Sequence, residues 1–591
     1  MMNALHEIPG PPRRNGERGF ALVLVIVVLM TLMVLGIGMM TSVGTNVALS
    51  KNYEMSTQAI NMAEIGAKVA YREFINSGFL KSTHDTTSSH SPVSSELRLP
   101  TTLQNYVIVG GNSSKDSTGW YQWSWDSSKG YNPLFDTTRP HGFRFRVYYV
   151  NNNFTFVIES EGWFGSIHRR TRAKGEVESM FVFAYYAQRD LGEFVDETTQ
   201  EVRGKVHANG IMYVRPTNAD LKVYTSSFTA TNFIVRSRDA WGRPDVGGTA
   251  KITNNNEGGL LVEMLPYTPP STLRGSEGLA FDSYNPNWND RTLGAKALWD
   301  GVVRDKVSYK SSPPFQNLEP GGYYETNAGL KITSLTSNLW AATVTFWNWN
   351  EQRYVTVKDI NVRAMIAAGN WPPNGLIYSN TPIRLSNADS LANKLTVASC
   401  FSIYTKGNFN TNIKKGASLM TKHRIYHLSG AWDDVNSENS KNLPATSTTV
   451  NAALVDGAPT VDEYNWVDRD GDHRFDFNSG LIYDDWDHKT AAGFHNPANL
   501  NDPCANCEDL LENWAGKTLA RKGSIIHMNS AIMAQNLNND VIQANELYWV
   551  RNMGYIPPLN NSFTYDPDLA TPASLPPYTP LIGHIKSWEP F

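Results

Sequence analysis

The chain has 591 residues, of which 41% are hydrophobic and 18% are charged, a balance typical of folded globular proteins rather than disordered chains. A chain of this length exceeds one ordinary domain, so we expect two or three. Lysine and arginine (52) nearly balance aspartate and glutamate (56), for a net charge of −4. No half of the chain is strongly basic, and we therefore expect no nucleic-acid partner.

An uncharged apolar run of 21 residues extends from Phe20 to Met40. As a helix it would be about 31 Å long, enough to cross a hydrocarbon core of about 30 Å. Arg13, Arg14 and Arg18 precede it, which predicts a cytoplasmic N-terminus and an extracytoplasmic chain after Met40. The run is longer than the apolar region of a cleaved secretory signal, and a plain signal anchor remains an alternative.

The helical pattern continues beyond this run without a proline. Apolar and small side chains recur there at the spacing of one broad helix face. They are Met55, Ala59, Met62, Ala63, Gly66, Ala67, Ala70 and Phe74. The sequence therefore predicts one continuous helix over residues 20–76, first membrane-spanning and then amphipathic.

The junction Glu17-Arg18-Gly19-Phe20 resembles the class III prepilin signal. The resemblance implies a leader of residues 1–19, cleavage by a prepilin peptidase after Gly19, and methylation of Phe20 as the new N-terminus. The following block, QAINMAEIGAKVAYREF, is similar to the conserved N-terminal region of PilX-type minor pilins. A membrane helix that runs into a long amphipathic helix is the spine that this family would have.

One residue departs from the pattern of major pilins. The fifth residue after the predicted cut is Leu24, where major pilins carry a glutamate. In that family the glutamate is thought to pair with the N-terminal amine of a neighbouring subunit inside the apolar filament core, where an unpaired charge is costly. Its absence resembles minor pilins and the tip pseudopilin of type II secretion rather than the repeating subunit.

After the helix, the sequence favours short strands joined by polar turns. We expect a pilin-like β subdomain over 77–180, with a Ser/Thr-rich loop at 81–118 and strands at 143–150, 154–164 and 168–177. Residues 181–591 are predicted to form a large β-rich extracytoplasmic domain. Either a β-helix or solenoid-like layer or a β-sandwich fits, since no fixed repeat period is visible. The predicted class is α+β.

Two segments of this large domain also resemble long PilX-type pilus assembly proteins. They are residues 395–435, which include IYTKGNFNT and LSGAW, and residues 508–525, which include LENW. With the N-terminus, the resemblance covers about a third of the chain, at both of its ends.

An Asp-rich loop lies near 468–487. Its carboxylates occupy positions 1, 3, 5 and 9 of a turn, and a backbone carbonyl can complete a cage for a hard cation. These residues are Asp468, Asp470, Asp472 and Asp476, with the carbonyl of Arg474. His473 and Ser479 replace the glycine and the closing glutamate of an EF-hand. The spacing predicts calcium, and a solvated acidic turn is the alternative.

The three cysteines are too few to staple a fold of this size. Cys504 and Cys507 have CxxC spacing without a following histidine, and an extracytoplasmic location favours a local disulfide between them. Cys400 is predicted to be a buried thiol. His207 has no nucleophile beside it in the sequence, so we expect it to have a structural role. No known catalytic motif occurs, so we expect no enzyme.

Together these features predict a minor pilin that primes a type IV pilus or caps its tip. The implied partners are the major pilin and other minor pilins through the N-terminal helix, the prepilin peptidase, the inner membrane before assembly, and a tip adhesin or surface ligand. The alternatives are a tip pseudopilin of a type II secretion system and a membrane-anchored surface adhesin or hydrolase outside any filament.

Overall fold

The computed structural model describes residues 17–590 with several gaps. The longer gaps are 77–110, 126–139, 237–247, 458–509 and 533–559, and the stretch 265–294 is described only at Ser283 and Trp288. Shorter gaps are 116–119, 151–154, 193–194, 197–199, 215, 218–219, 255–259, 311–314, 349–352 and 529–530.

One long helix precedes many short strands. The α-helices are α1 Glu17–Asn76, α2 Ala295–Trp299, α3 Tyr323–Asn327 and α4 Val362–Ala367. The first strands are β1 Gly111–Lys115, β2 Tyr121–Trp125, β3 His141–Val150, β4 Thr155–Phe164, β5 Ile167–Ser179, β6 Phe183–Ala187, β7 Leu191–Gly192, β8 Val195–Asp196, β9 Gln200–Arg203, β10 Lys205–Ala208, β11 Met212–Tyr213, β12 Pro216–Thr217, β13 Asp220–Tyr224, β14 Phe228–Ala230, β15 Ile234–Val235, β16 Thr249–Thr253 and β17 Leu261–Met264. The remaining strands are β18 Val303–Arg304, β19 Leu330–Ile332, β20 Ala341–Asn348, β21 Arg353–Asn361, β22 Leu376–Ser379, β23 Ile383–Ala388, β24 Leu395–Ser399, β25 Ile403–Phe409, β26 Ala417–Thr421, β27 Ile425–Leu428, β28 Thr448–Asp456, β29 Thr518–His527, β30 Ala531–Ile532, β31 Asn560–Tyr565 and β32 Leu581–Pro590.

The C-terminal half of α1 packs on an antiparallel sheet, and we call α1 with this sheet the helix–sheet unit. The strand order is β1-β2-β3-β4-β5-β32. Side chains alternate between the two faces of each strand, and Phe143, Phe145, Phe156 and Ile158 share a buried core with α1. The core of this unit therefore lies between the helix and one face of the sheet.

The rest of the chain is inserted between two neighbouring strands of that sheet. Strand β5 ends at Ser179, and Leu581 of β32 pairs with Ser179 in an antiparallel ladder. The backbone N–H of Met180 donates to the carbonyl of Pro580 at 2.9 Å, so the insert leaves and returns at one point. The predicted unit 181–591 thus gives its last strand to the helix–sheet unit.

The insert is a parallel β-solenoid. In its first part, which we call the outward wing (residues 183–304), strands β6, β10, β14 and β18 stack in parallel. Parallel stacks also join β7, β11 and β15, and β9, β13 and β16. The coil from β10 to β14 is short, because the stacked residues His207 and Thr229 are 22 apart in sequence, whereas a longer connection separates β14 from β18.

The second part, which we call the returning wing (residues 330–527), contains two parallel stacks that meet at one long strand. Strands β19, β22, β24 and β26 form one stack, and β21, β23 and β25 form the other. Both end on β28, where Val450 pairs with Phe409 and Leu454 pairs with Leu419. The antiparallel hairpin β20–β21 closes the other end of the second stack.

The chain moves away from the helix–sheet unit along the outward wing and back toward it along the returning wing. The outward wing begins at β6, beside that unit, and winds away from it. The returning wing winds back through β28 and β29, and Ile525 of β29 pairs in parallel with Tyr185 of β6. The last coil of the solenoid therefore stacks on its first coil, at the junction with the helix–sheet unit.

The α+β class is confirmed, with a long N-terminal helix and a large mainly-β domain. Of the two β architectures that the sequence left open, the parallel ladders establish the solenoid. The repeat was hidden in the sequence because the strands are short and long connections interrupt the coils. One connection lies between β14 and β18, and another between β28 and β29.

Candidate functional site

Helix α1 has two halves with opposite environments. In the N-terminal half, large apolar side chains from Leu22 to Leu49 are exposed, and Met40 is 80% exposed. By length and composition, the segment Leu22–Tyr71 contains a window that could cross a membrane. The C-terminal half buries Ala59, Met62 and Phe74 completely. The sheet therefore covers the C-terminal half of α1, whereas no described residue covers the N-terminal half.

The predicted apolar face of α1 is the face that docks. All of its predicted members are buried except Met55, which is half-buried, and Val69 joins them. Two glycines allow α1 to lie close to the sheet. A Cβ on Gly162 of β4 would lie 2.2 Å from the backbone nitrogen of Ala63, and one on Gly66 would lie 2.4 Å from Ser160 Oγ. No side chain fits at Gly162 without moving the helix off the sheet.

Polar groups in the exposed half are satisfied inside the helix. The hydroxyls of Thr31, Thr41 and Thr45 each donate to the carbonyl four residues earlier, at 2.8 Å. Such bonds remove the cost of placing a hydroxyl in an apolar environment. This half can therefore enter a bilayer or a bundle of apolar helices despite its threonines.

Gly19 and Phe20, the predicted processing residues, lie in the first turn of α1, which begins at Glu17. Leu24 is 55% exposed, four residues further along the apolar surface. Cleavage after Gly19 and methylation of Phe20 stay predictions.

A buried ionic cluster joins the helix–sheet unit to the solenoid. Glu178 of β5 accepts hydrogen bonds from Lys205 Nζ at 3.0 Å and Lys310 Nζ at 3.2 Å, and His584 of β32 lies 3.7 Å away. Burial alone would raise the pKa of Glu178, but the two ammonium groups outweigh it and lower that pKa. Burial also lowers the pKa of His584 to about 4. The cluster fixes the first solenoid coil on the sheet.

The predicted calcium ligands and the predicted disulfide fall outside the described residues. Asp468, Asp470, Asp472, Arg474 and Asp476 lie in the gap 458–509, as do Cys504 and Cys507. Within the described residues, no group of three or more His, Cys, Asp or Glu is arranged to hold a metal ion. These assignments stay predictions.

His207 lies in a fully buried polar ladder between coils. Its Nδ1 contacts Thr229 Oγ1 at 2.8 Å, its Nε2 contacts Asn209 Oδ1 at 2.9 Å, and Asn209 Nδ2 donates to Tyr186 Oη at 2.8 Å. Burial lowers the pKa of His207 to about 3, so the ring is neutral. This position agrees with a structural role.

Cys400 is a buried free thiol, as predicted. Its Sγ donates to the carbonyl of Ser379 at 3.8 Å, and burial raises its pKa.

The sequence analysis did not identify the buried Glu159 and Glu161 or the half-buried Glu178. The first two form a Glu-x-Glu pair in β4, and the neighbouring strands carry Arg-x-Arg pairs. These alternating pairs could have indicated cross-strand ion pairs, but only if the order of the strands in the sheet had been known.

Comparison with known proteins identifies no family. No protein-family model matches the sequence, and no curated protein matches it. Among solved structures, the chain is similar to the competence-associated pilin ComZ from Thermus thermophilus, with 11% identity and a TM-score of 0.23. The alignment covers 91% of this chain and 98% of that one. A TM-score this low supports no argument about fold or function.

Proposed function

We propose that this protein is a PilX-type minor pilin whose α1 resides in the inner membrane and then enters the core of a type IV pilus. The observation that supports this most strongly is the division of α1. Its docked half is buried on a sheet, whereas its exposed half presents continuous apolar surface from Leu22 to Leu49. Exposing that much apolar surface to water is strongly unfavourable. A bilayer or a bundle of similar helices would cover it.

Two features favour a minor subunit at the tip or in priming. Leu24 lacks the carboxylate that major pilins would use to dock on a neighbour. The solenoid is inserted between β5 and β32, so every copy carries a bulky head on its sheet. Such a head would clash if it were repeated at every position of a helical filament, but it fits at an end.

The proposal implies a defined maturation route. A prepilin peptidase would cut after Gly19, and Phe20 would be methylated before α1 leaves the membrane. The helix would then contact the major pilin and other minor pilins, and the solenoid would face a tip adhesin or a surface ligand outside the cell.

Immunogold labelling of sheared filaments tests the location. We expect label at filament tips for the tagged wild-type protein. Gly19→Ala should abolish the tip label, because the leader then stays attached. Arg363→Gln is the control, since this exposed residue of the solenoid lies outside α1 and the predicted cleavage junction. Label confined to the envelope would contradict the pilus assignment and favour a type II secretion pseudopilin.

The calcium loop belongs to the proposal because its side chains suit a hard cation. Four carboxylates with a carbonyl are the oxygen ligands that calcium prefers. They are Asp468, Asp470, Asp472 and Asp476, with Arg474 supplying the carbonyl. Calcium should raise the melting temperature of the wild type and not that of Asp470→Asn. An equal response of both proteins would contradict the site.

The disulfide between Cys504 and Cys507 is proposed for the extracytoplasmic protein. Alkylation followed by mass spectrometry should label Cys400 after unfolding and leave the other two unlabelled until reduction. Alkylation of all three cysteines before reduction would contradict it.

A further inference from the structure

The sheet of the helix–sheet unit carries ordered charge on the face that points away from α1. Phe143, Phe145, Phe156 and Ile158 face the helix, so the residues that alternate with them face outward. Two cross-strand rows on β3, β4 and β5 have the order arginine–glutamate–arginine. The rows are Arg144–Glu161–Arg170 and Arg146–Glu159–Arg172, and we call these six residues the arginine face.

The first row is built on a buried carboxylate. Glu161 is 5% exposed and accepts hydrogen bonds from Arg144 Nη2 at 3.0 Å and Arg170 Nε at 2.8 Å. His168 Nδ1 lies 2.9 Å from the same carboxylate. Burial would raise the pKa of Glu161, but the hydrogen bonds from these three side chains outweigh it and lower the pKa. Glu161 is therefore ionised at neutral pH.

The second row repeats this arrangement. Glu159 is 4% exposed and accepts hydrogen bonds from Arg146 Nε at 2.8 Å, Arg172 Nη2 at 2.9 Å and Tyr148 Oη at 2.9 Å. Its pKa is also lowered, because these hydrogen bonds outweigh the effect of burial.

The arginine face has more positive than negative charge. Four guanidinium groups surround two carboxylates, so among these six side chains the arginines exceed the glutamates by two. The side chains of Arg144, Arg146 and Arg170 are 34%, 40% and 49% exposed. The guanidinium groups of Arg144 and Arg146 each lie 4.9 Å from the ring centre of Trp120. The glutamates and the ring hold these three arginines in fixed positions, with part of each side chain exposed.

The size of the arginine face limits what it can bind. Its rows are two residues apart along each strand, a spacing of about 7 Å. On the β32 side it is bounded by two ion pairs, Lys174–Glu589 and Lys586–Glu176, which add no net charge. A long polyanion engages many more charges, about six to ten for a typical DNA-binding protein, than the two rows present.

An extended peptide with acidic side chains at positions i and i+2 has the same spacing of about 7 Å. Arginine also binds carboxylates through paired N–H groups, which favours fixed guanidinium groups as the recognition element. Because α1 lies on the opposite face of the sheet, packing of α1 in a membrane or a filament does not itself cover the arginine face.

We propose that the arginine face binds a short acidic segment of another protein, with two carboxylates, two residues apart, that contact the two rows. This inference does not depend on the pilus assignment, because it rests on the sheet alone. The glutamates act as positioning residues, and the arginines make the contact.

Fluorescence anisotropy on the full-length protein in a neutral detergent tests the proposal. The probe is a labelled Thr-Glu-Thr-Glu-Thr peptide, and the Gln-for-Glu peptide is its control. Arg144→Gln should weaken binding about fivefold, as expected for one lost charge-assisted contact. Arg363→Gln, an exposed arginine of the solenoid paired with Asp389, should leave binding unchanged.

A second variant changes the affinity in the opposite direction. Glu161→Gln keeps the side-chain shape and removes one negative charge, so it should tighten binding about threefold. Thermal melts check that each variant is folded. If Arg144→Gln does not fold, the affinity of Glu161→Gln alone tests the proposal. Unchanged affinity in both variants would overturn the proposal. Tighter binding of a single-stranded oligonucleotide of equal charge, or of anionic phosphatidylglycerol vesicles, would also overturn it and assign the face to nucleic acid or lipid.

Discussion

The glutamates buried on the sheet of the helix–sheet unit and the histidines buried in the solenoid are stabilised in opposite ways. On the sheet, Glu159 and Glu161 are buried as charges, each held by two arginines. In the solenoid, His207 and His427 are buried as neutral rings beside threonine hydroxyls. The glutamates are stabilised by pairing with arginines, and the histidines avoid the cost of a buried charge by remaining neutral. The two parts of the chain should therefore respond differently to both mutation and pH.

The largest expected effect separates the two parts by mutation. Gly162→Val should destabilise the helix–sheet unit by about 3 kcal/mol, because its side chain would overlap the backbone of Ala63. Hydrogen exchange should show faster opening in α1 and β4 while the solenoid amides keep their protection. Gly38→Val is the matched control, since a Cβ there meets nothing within 4 Å. Equal loss of protection in both parts would show that they unfold as one.

Acid should weaken the solenoid more than the helix–sheet unit. Burial lowers the pKa of His207 and His427 to about 3, against about 6.5 when unfolded, so the unfolded chain binds more protons between these values. Stability is then lost as the pH falls below 6.5, by about 2 kcal/mol for each histidine at pH 5.

In the helix–sheet unit, the lowered pKa values of Glu159 and Glu161 remove stability only as the pH falls below about 4.3. His584 of β32, whose pKa burial lowers to about 4, should cost this unit about 2 kcal/mol at pH 5, about half the combined loss from the two solenoid histidines. Hydrogen exchange at pH 7 and pH 5 should show the difference in the solenoid. Greater loss in the helix–sheet unit at pH 5 would contradict this assignment.

Glu512 is a buried acidic residue of the solenoid whose pKa is shifted in the opposite direction from the pKa values of Glu159 and Glu161. It is fully buried, and its carboxylate accepts hydrogen bonds from the backbone N–H and the hydroxyl of Ser429. Burial raises its pKa, so its contribution is present at low pH and is lost as the pH rises through that raised value. Glu512→Gln, neutral at every pH, should stabilise the protein at pH 8 by about 1 kcal/mol. The exposed control Glu438→Gln should show no such gain in thermal melts.

The smallest expected effect concerns the return of the chain to the sheet. Tyr71 of α1 donates through Oη to the carbonyl of Gly583 in β32 at 2.9 Å. Tyr71→Phe should cost about 0.5–1 kcal/mol by removing one partly buried hydrogen bond. Denaturant melts measure this loss, and the exposed variant Tyr53→Phe is the control. A loss of several kcal/mol would mean that β32 depends on this bond alone.

The sequence predicted the local features well because their periods are short. The docking face of α1 followed from the spacing of Ala59, Met62, Ala63 and Phe74, and burial confirms it. The long N-terminal helix followed in the same way from a run without a proline, and α1 spans Glu17–Asn76. Each of these depends on residues that are close together in the chain.

Long-range pairing could not be predicted in the same way. The contact between Ser524 and Phe183, where the last coil stacks on the first, joins residues 341 positions apart. The return of β32 to β5 is of the same kind. The arginine face likewise needs the order of three strands before its Arg-x-Arg and Glu-x-Glu pairs can be combined.

We propose that α1 is processed at its cytoplasmic end and retained as the apolar spine of a filament subunit. Intact-mass and N-terminal mass spectrometry of the protein purified from membranes and sheared filaments tests this proposal most directly. We expect a mature chain that begins at N-methylated Phe20 and keeps the whole apolar run to Met40. An intact leader, or a chain that begins after Met40, would contradict it.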